Sequence, residues 1–517
     1  MSGHLIRIGL VALIAMAFFV SRLDASDAGG VSAPAGEEAI FERDDLNLEI
    51  DGPTSLAFGP DGRLYASTQN DIIAITLDDI THNVVAIEEI ATDLHGVLGL
   101  AFDHTAPPDA PVKLYASHQD FDGVPGYWGR VSTFTAPDWT QQTIIENLPS
   151  SAPLLNHLTN GLAFGADGRL FLAQGSNTDA GLPGAGPDPD YYPESALSAA
   201  ILVADVNDPG FNGTLTYNPP GQPLDHNVDL ISGDVEVFAP GLRNSYDLVF
   251  HSNGLLYATD NGAIGRNGAA SCDGATVDTS VSDELNLIEE GNYYGFPNLN
   301  RGRSDPRQCT YRDPRDGSGP DFVGPIAVLA RHCSCDGIVE YQGPALGGAM
   351  NGDLIIARFT RGDLSRVELT EDGRGVLKNP EGTPEISTIA EDFDMPLDVT
   401  VAPDGTLYVA DFDDNLIAVL VPIAPTATPT LPPTATPTPT DTPTPTDTPT
   451  PTDTPTGMIG DANCDGSTNS IDAALVLQTV AGLIGGVGCP NLADVNDDGN
   501  LDAIDAALIL QRDAGLI

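Results

Sequence analysis

The segment GLAFGADGRLFLAQ, residues 161–174, decides the fold of this chain because related segments recur along most of its length. In each copy two apolar runs flank a short turn, usually Asp-Gly or Asn-Gly, a pattern typical of a tight β-hairpin. The other copies are SLAFGPDGRLYAST (55–68), GLAFDHTAPPDAPVKLYASH (99–118), DLVFHSNGLLYATD (247–260), a more divergent GALGGAM-like stretch that runs to Phe359, and DVTVAPDGTLYVAD (398–411). Six such units between residues 37 and 421 predict an all-β fold, a six-bladed β-propeller, with function in the loops at one mouth of its channel.

A different repeat lies near the C-terminus, where DANCDGSTNSID (461–472) and DVNDDGNLDAID (494–505) share the spacing of a calcium loop. Oxygen-bearing side chains recur at fixed positions around a glycine at position 6, as a hard cation with several oxygen ligands requires. We therefore predict two Ca²⁺ sites. Their ligands are Asp461, Asn463, Asp465, Ser467, Asn469 and Asp472 in the first loop, and Asp494, Asn496, Asp498, Asn500, Asp502 and Asp505 in the second.

The flanks of these loops indicate what kind of calcium module they form. An apolar segment at helical spacing follows each loop, whereas a Thr/Pro tract and a glycine-rich stretch with Pro490 precede them, so neither loop has a helix before it. Two loop-plus-helix repeats over residues 458–517 resemble a dockerin, the module that binds secreted enzymes to cohesin domains of scaffold or cell-surface proteins. The resemblance implies a cohesin partner, which either repeat could face. It also implies that positions 10 and 11 of each loop recognise the partner. These residues are Ser470, Ile471, Ala503 and Ile504.

The two remaining segments indicate export. Arg7 precedes an apolar run from Ile8 to Val20 that is followed by small residues, so residues 1–25 are predicted to be a signal peptide. The run is too short for a comfortable membrane span, and no other stretch is long and apolar enough for one. Residues 422–457 consist of Pro, Thr, Ala and Asp and predict an extended linker. We therefore expect a secreted, extracellular protein without a membrane span.

The charge of the chain limits its possible binding partners. With 74 acidic and 21 basic residues the formal charge is −53, which excludes nucleic acid as a partner.

The cysteine content concerns disulfides. Six cysteines in an exported chain favour disulfide bonds over metal ligands. Cys464 and Cys489 are expected to pair within the C-terminal module. The other four leave three connectivities open, with a metal cluster at His332-Cys333-Ser334-Cys335 as the alternative; they are Cys272, Cys309, Cys333 and Cys335.

Several segments that do not belong to the repeat carry a second resemblance. APGLRNSYDLVF (239–250), ATDNG (258–262) and SDELNLIEEGNYYGFPN (282–298) resemble, in order and spacing, the glucose/sorbosone dehydrogenase family of soluble quinoprotein propellers. The resemblance implies that His157 is the general base in sugar oxidation. An imidazole suits this role because its pKa lies near the working pH. The resemblance also implies that Arg243 and Asn244 are catalytic and face the cofactor pyrroloquinoline quinone (PQQ), where the arginine would stabilise developing negative charge. Glu284 is implied to bind a Ca²⁺ ion in the propeller.

The chain differs from that family at the residues that would bind the cofactor. Where the quinoproteins carry a lysine and two arginines that neutralise the carboxylates of PQQ, alignment gives Thr360, Met395 and Leu397. Arg358 and Arg361 flank the first of these positions and are the candidates to replace the lysine. Ser176 stands where an acidic partner of the histidine is expected, and Leu94 replaces a glutamine. These substitutions argue against PQQ binding of the usual kind, because an unpaired buried carboxylate is costly.

Three functions follow from these patterns. The first is an oxidoreductase acting on sugars or oligosaccharides, with PQQ or another electron acceptor. The second is a noncatalytic propeller that binds a glycan or a protein. The third is a hydrolase or lyase on the same scaffold. In each case the dockerin would place the propeller in an assembly that degrades polysaccharides.

Overall fold

The computed structural model describes residues 40–120, 126–150, 157–181, 193–218, 229–263, 281–313, 317–380, 382–423, 459–464, 466–480, 486–496 and 501–513. The predicted signal peptide and nearly all of the predicted linker lie outside these residues. So do Cys272 and three predicted calcium ligands, Asp465, Asp498 and Asn500. The chain divides into two compact units, one up to Thr428 and one from Pro429 onward. Within the described ranges no helix is long and apolar enough to cross a membrane.

The first unit is the predicted six-bladed propeller, since six four-stranded antiparallel sheets follow one another along the chain. Blade 1 contains β2 (Pro53–Phe58), β3 (Leu64–Thr68), β4 (Ile72–Leu77) and β5 (Val84–Ala91), and blade 2 contains β6 (Gly99–Phe102), β7 (Lys113–Gln119), β8 (Gly129–Thr135) and β9 (Thr140–Leu148). Blade 3 contains β10 (Thr159–Phe164), β11 (Leu170–Gln174), β12 (Ala200–Ala204) and β15 (Glu236–Pro240), with the hairpin β13 (Thr216–Asn218) and β14 (Asp229–Ser232) inserted before β15. Blade 4 contains β16 (Leu248–Phe250), β17 (Leu256–Asp260), β18 (Ser282–Ile288) and β19 (Ala327–Arg331).

The last two blades complete the ring. Blade 5 contains β20 (Cys335–Glu340), β21 (Leu354–Arg358), β22 (Asp363–Val367) and β23 (Ile386–Ala390). Blade 6 contains β24 (Pro396–Val401), β25 (Leu407–Asp411), β26 (Leu416–Pro422) and, as its outermost strand, β1 (Phe41–Asp45). Because β1 comes from the other end of the propeller sequence and pairs antiparallel with β26, the two ends of the unit are joined within a single sheet.

The turn residues explain why the repeat forms hairpins. In the turn between β10 and β11, Gly168 has φ +79°, a conformation that glycine adopts without steric cost. Asp167 accepts a hydrogen bond from the backbone of Arg169 through Oδ1 at 3.1 Å, which closes the turn. The turn between β2 and β3 repeats this arrangement, with Gly62 at φ +78°. The Asp-Gly pairs therefore fix the hairpins locally, before the blades pack together.

Packing between neighbouring blades supplies the core. Six apolar clusters lie at the six blade interfaces, for example Ile145 of blade 2 against Leu162 of blade 3, and Tyr257 of blade 4 against Ile356 of blade 5. Each fully buried leucine or isoleucine contributes roughly 1.5–3 kcal/mol. Close approach also demands glycine, because a Cβ at Gly161 would lie 2.2 Å from Oδ1 of Asp247 in the next blade. The repeat is therefore a packing unit, and function has to come from the loops.

The structure differs from the sequence prediction at the hairpin of blade 5. The divergent copy that runs to Phe359 was expected to supply both strands of its hairpin, but the inner strand of blade 5 is β20, upstream of that copy. The glycine-rich segment instead forms a short 3₁₀ turn at Ala345–Gly348, where Leu346 and Gly347 have φ +54° and +65°. Left-handed residues cannot continue a strand, so the pairing partner of β21 lies before this turn.

The second unit contains the calcium-loop repeats. Its helices are α2 (Ser470–Val480), α3 (Pro490–Ala493) and α4 (Ala503–Asp513), whereas the short α1 (Leu299–Gly302) belongs to the propeller. Val476 of α2 and Ile509 of α4 are fully buried in a small core made mainly of alanines. The expected disulfide between Cys464 and Cys489 is confirmed. One helix thus follows each loop, as the sequence predicts.

Candidate functional site

His157 lies directly before β10, the inner strand of blade 3, and is buried. Its Nδ1 lies 3.0 Å from the backbone oxygen of Ser176 and 2.9 Å from the hydroxyl of that residue, which itself donates to the backbone oxygen of Thr178. Both oxygens accept from Nδ1, so the ring proton of the neutral imidazole is on Nδ1 and the basic lone pair is on Nε2. Burial, and next the positive charge of Arg243, lower the pKa of His157 to about 3, against the opposing charge of Asp179. At neutral pH the imidazole is in the form that accepts a proton.

Arg243 follows β15 and is held by blades 3 and 4 together. Its Nε donates to the backbone oxygen of Asp179 at 3.0 Å and its Nη2 to Oδ1 of the same residue at 2.7 Å, while Nη1 donates to the backbone oxygen of Asn261 at 3.1 Å. Arg243 and Asp179 are both 5% exposed, so this ion pair is desolvated and rigid. Asp179 was not predicted from the sequence. It restores a carboxylate near His157 that Ser176 had appeared to remove.

The same turn brings Asn244 to His157. Its backbone nitrogen, and that of Arg243, donate to the carboxylate of Asp260 at 2.7 and 3.0 Å. The side-chain oxygen of Asn244 accepts from Asn160 at 3.0 Å. A Cβ added at position 175 would lie 2.6 Å from Cβ of His157 and 2.9 Å from Oδ1 of Asn244, so the two residues flank the same backbone. The three residues predicted for catalysis therefore meet at one mouth of the channel.

Glu284 lies on β18 directly opposite Asp260 on β17. Both side chains are buried, and burial raises the pKa of Asp260 to about 7 and that of Glu284 well above its usual range. Two residues along β18, Asn286 donates to Glu284 at 3.1 Å, and its own side-chain oxygen is buried without a hydrogen-bond partner among the described residues. Two adjacent carboxylates beside an unsatisfied amide oxygen fit a Ca²⁺ ion, with Glu284 as a ligand. The assignment of Glu284 to calcium stays a prediction.

The Cys333–Cys335 pair forms a disulfide, so the alternative of a metal cluster at residues 332–335 is wrong. Cys309 is disulfide-bonded as well. His332 carries φ +50°, and its backbone oxygen accepts from the hydroxyl of Thr360 at 2.6 Å. Burial, then Arg331, and then Arg243 lower the pKa of His332, while Asp179 raises it. The Arg243–Asp179 pair therefore acts on two histidines, and only the first was predicted as a site residue.

The positions aligned with the family's PQQ anchors do not form a cationic site. Met395 and Leu397 belong to an apolar cluster instead. Arg358 is occupied, because its Nε and Nη2 donate to the two carboxylate oxygens of Asp363 at 2.5 and 2.6 Å. Of the two arginines proposed as replacements, this leaves Arg361, which is exposed. The residues present therefore do not fit the carboxylates of PQQ.

In the C-terminal unit, Asp472 and Asp505 close the two loops. Each is fully buried and accepts two or more backbone hydrogen bonds, from residues 462, 463 and 469 in the first loop and from residues 495, 496 and 502 in the second. These hydrogen bonds shape each loop and orient the carboxylate at the position where a calcium loop has its last ligand. Ile471 and Ile504 are 60% and 57% exposed at the start of the helices that follow. Their position suits the predicted role in partner binding.

Three channel carboxylates also fasten the blades to one another. Asp398 of blade 6 accepts from the backbone of Leu56 in blade 1 at 2.7 Å, and Asp247 of blade 4 accepts from Ile338 in blade 5 at 3.2 Å. Asp336 accepts from the side chain of Asn261 at 2.8 Å. Burial raises the pKa of Asp247 to about 6, that of Asp336 to about 7, and that of Asp398 well above its usual value.

These shifts predict a propeller that loses stability as the pH rises from 6.5 to 8. A carboxyl group whose pKa is raised by folding stabilises the fold fully below its unfolded pKa of ~4, and this contribution is lost as the pH passes its folded pKa. His157 shifts in the other direction but is neutral in both states above its unfolded pKa of ~6.5, so it does not contribute in this window. Thermal unfolding in saturating Ca²⁺ should give a lower Tm at pH 8, with a smaller change in Asp336→Asn. A Tm that rises between pH 6.5 and pH 8 would contradict the raised pKa values of these carboxyl groups.

Together these features define a class: a six-bladed propeller with a buried histidine beside an arginine–aspartate pair at one mouth, followed by a two-loop calcium module. The chain belongs to the Glucose / Sorbosone dehydrogenase family, whose family model matches residues 50–418. A second family model, the Dockerin type I domain, matches residues 459–512. A search of curated proteins gives no match.

Solved structures support the fold. The PQQ domain of a pyranose dehydrogenase from Coprinopsis cinerea, in its holo form, is 14% identical with a TM-score of 0.52, covering 76% of this chain and 100% of that one. A calcium structure of a Trichoderma reesei carbohydrate-active enzyme of family AA12 is 17% identical with a TM-score of 0.51, covering 76% and 98%. The PQQ-bound aldose sugar dehydrogenase of Streptomyces coelicolor is 18% identical with a TM-score of 0.47, covering 75% and 99%. At these identities the first two similarities concern the fold alone, and the third, with a TM-score below 0.5, adds no argument.

Proposed function

We propose that this protein is a secreted dehydrogenase that oxidises sugars or oligosaccharides and is held by its dockerin in a cohesin-bearing, polysaccharide-degrading assembly. The observation that carries the proposal is the meeting of His157, Arg243 and Asn244 at one channel mouth, in the family whose named members include sugar dehydrogenases. Ca²⁺ fills the two dockerin loops and the site at Glu284. Residues Ser470, Ile471, Ala503 and Ile504 contact the cohesin.

Each residue at the mouth has a task in this proposal. The neutral imidazole of His157 accepts the proton of the sugar hydroxyl at Nε2 while Ser176 holds Nδ1. Arg243 stabilises the negative charge that develops on the sugar oxygen, and its ion pair with Asp179 fixes the guanidinium beforehand. Asp260 orients the backbone of Arg243 and Asn244. The two electrons of the oxidation pass to an acceptor bound at the same mouth.

The proposal is tested with the calcium-loaded full chain. Aldoses and oligosaccharides are offered together with soluble electron acceptors, both with PQQ and without it, and lactone formation is measured by mass spectrometry. We expect oxidation of at least one sugar class and its loss in His157→Ala. His104→Ala serves as the matched control, because His104 is exposed on the hairpin turn at the other end of blade 2. Absence of lactone with every acceptor would refute the proposal.

One observation favours a second function, a noncatalytic propeller that binds glycan or protein. Met395 and Leu397 stand where the family's cofactor anchors are expected, so a propeller that has lost its cofactor would show the same replacement. A glycan array and pull-down against cell-wall proteins distinguish the two functions. Glycan binding that persists in His157→Ala, without turnover of any sugar, would favour this second function.

A further inference from the structure

Six apolar side chains meet at the mouth that carries the proposed catalytic residues. They come from the starts of inner strands and the ends of the adjacent strands in four blades, and we call them the apolar mouth cluster: Leu98, Tyr246, Phe359, Met395, Leu397 and Phe412. Tyr246 lies three residues after Arg243, immediately before β16, which fixes the cluster to the same mouth. Leu98, Met395 and Phe412 remain partly exposed, whereas the other three are buried. The cluster therefore offers a surface to a ligand.

Electrostatics at this surface disfavour an anion. The only one of the aligned anchor positions outside the cluster is Thr360, and its hydroxyl is hydrogen-bonded to the backbone of His332. The six residues of the cluster carry no charge. A ligand carrying carboxylates would therefore lose hydration there without gaining an ion pair from the cluster. An uncharged ligand does not meet this cost.

Two further details support a ligand at this surface. The hydroxyl of Tyr246 is buried without a hydrogen-bond partner among the described residues, so it can donate to a carbonyl oxygen. Met395 has φ +71°, a strained conformation for a non-glycine residue, and its backbone oxygen accepts from Phe412 at 3.1 Å. Such strain costs on the order of 1–3 kcal/mol and is concentrated at functional sites. Aromatic rings and a methionine sulfur are favourable contacts for a flat π-system.

We propose that the apolar mouth cluster binds an uncharged quinone of the benzoquinone class, which serves in place of PQQ as the two-electron acceptor. This inference rests on the proposed sugar oxidation. The sugar C1–H bond breaks with transfer of hydride to the quinone, and the hydroxyl proton moves to Nε2 of His157. That proton then reaches the reduced quinone through solvent, so aldose and quinone become lactone and hydroquinone. Atoms and electrons balance without a further reactant.

Binding is tested by equilibrium dialysis of the calcium-loaded full chain against tetramethyl-1,4-benzoquinone, which has no ring hydrogen for protein nucleophiles to replace. PQQ is the anionic comparison probe. We expect the neutral quinone to bind more tightly than PQQ. In Met395→Arg, which restores one cation, its affinity should fall at least about tenfold, or ~1.4 kcal/mol, while that of PQQ rises. The matched control is Ile87→Arg, because Ile87 is an exposed residue of β5.

The outcomes separate this inference from the proposed function. If PQQ binds the wild-type chain at least as tightly as the neutral quinone, or if the neutral quinone does not bind, the inference is overturned, even where PQQ supports sugar oxidation. If the neutral quinone binds and no sugar is oxidised, the ligand class stands and the acceptor role falls with the proposed function. Phe412→Ala is the second variant, which should weaken quinone binding without adding charge. Thermal unfolding confirms that each variant is folded.

Discussion

Removal of calcium is expected to unfold the C-terminal unit and weaken its binding to cohesin at least about a hundredfold, or ~2.8 kcal/mol. Asp472 and Asp505 are fully buried, and each gathers its loop through backbone hydrogen bonds at the position where a calcium loop has its last ligand. The remaining core is small and made mainly of alanine, so it cannot hold the loops alone. The measurement is cohesin titration with and without excess chelator, together with helix content by circular dichroism.

A variant without either carboxylate, Asp472→Ala with Asp505→Ala, should reproduce the effect of the chelator in the presence of calcium. Asp109→Ala, in an exposed turn of the propeller, is the matched control and should bind cohesin as the wild-type chain does. The Cys464–Cys489 disulfide remains in both variants, so it cannot account for a difference between them. Unchanged cohesin affinity in excess chelator would show that the repeats are not calcium loops.

His157→Ala is expected to lower sugar oxidation by about 10²–10⁴-fold, the usual range for loss of a general base. Since the pKa of His157 is lowered to about 3, the neutral form predominates down to mildly acidic pH, and the wild-type rate should not fall between pH 7 and pH 5 through protonation of this residue. A base with the ordinary histidine pKa of ~6.5 would lose most of its activity over the same range. The pH profile therefore tests the geometry as well as the identity of the base.

Asp179→Asn refines the test, because Asp179 acts on His157 through charge and is ion-paired with Arg243. Without its carboxylate the positive charge of Arg243 is no longer offset, so the pKa of His157 falls further and the imidazole becomes a weaker base. We expect a smaller loss of kcat than in His157→Ala. Equal or higher kcat in Asp179→Asn would show that the ion pair has no part in positioning the site.

The propeller could be predicted from the sequence because each hairpin is specified by residues that are close together in the chain. Each Asp-Gly turn specifies its own hairpin through the left-handed glycine and the aspartate that closes the turn, as at Gly62 and Gly168. The same rule failed in blade 5, where a glycine-rich turn was assigned to the strands and β20 was missed. The local pattern therefore predicts the class of fold, but it does not predict strand pairing where a turn is irregular.

The site was only partly predictable because its partners are remote in sequence. His157, Arg243 and Asn244 were identified through a family resemblance, and the structure brings them together. No sequence pattern identified Asp179, since its contact with Arg243 depends on the approach of two loops that lie 64 positions apart in sequence. The apolar mouth cluster was visible as missing anchors at Met395 and Leu397, but its continuity with residues of other blades required the folded ring.

The closure of blade 6 has a mechanical consequence for an anchored protein. The linker leaves the propeller from β26, which is hydrogen-bonded to β25 on one side and to β1 on the other. Tension along the tether therefore enters a strand in the interior of a sheet and loads both ladders in shear, where several hydrogen bonds must break together. A linker attached to an edge strand would instead unzip one bond at a time. The strand order of blade 6 thus resists tension applied at the C-terminal end of the propeller.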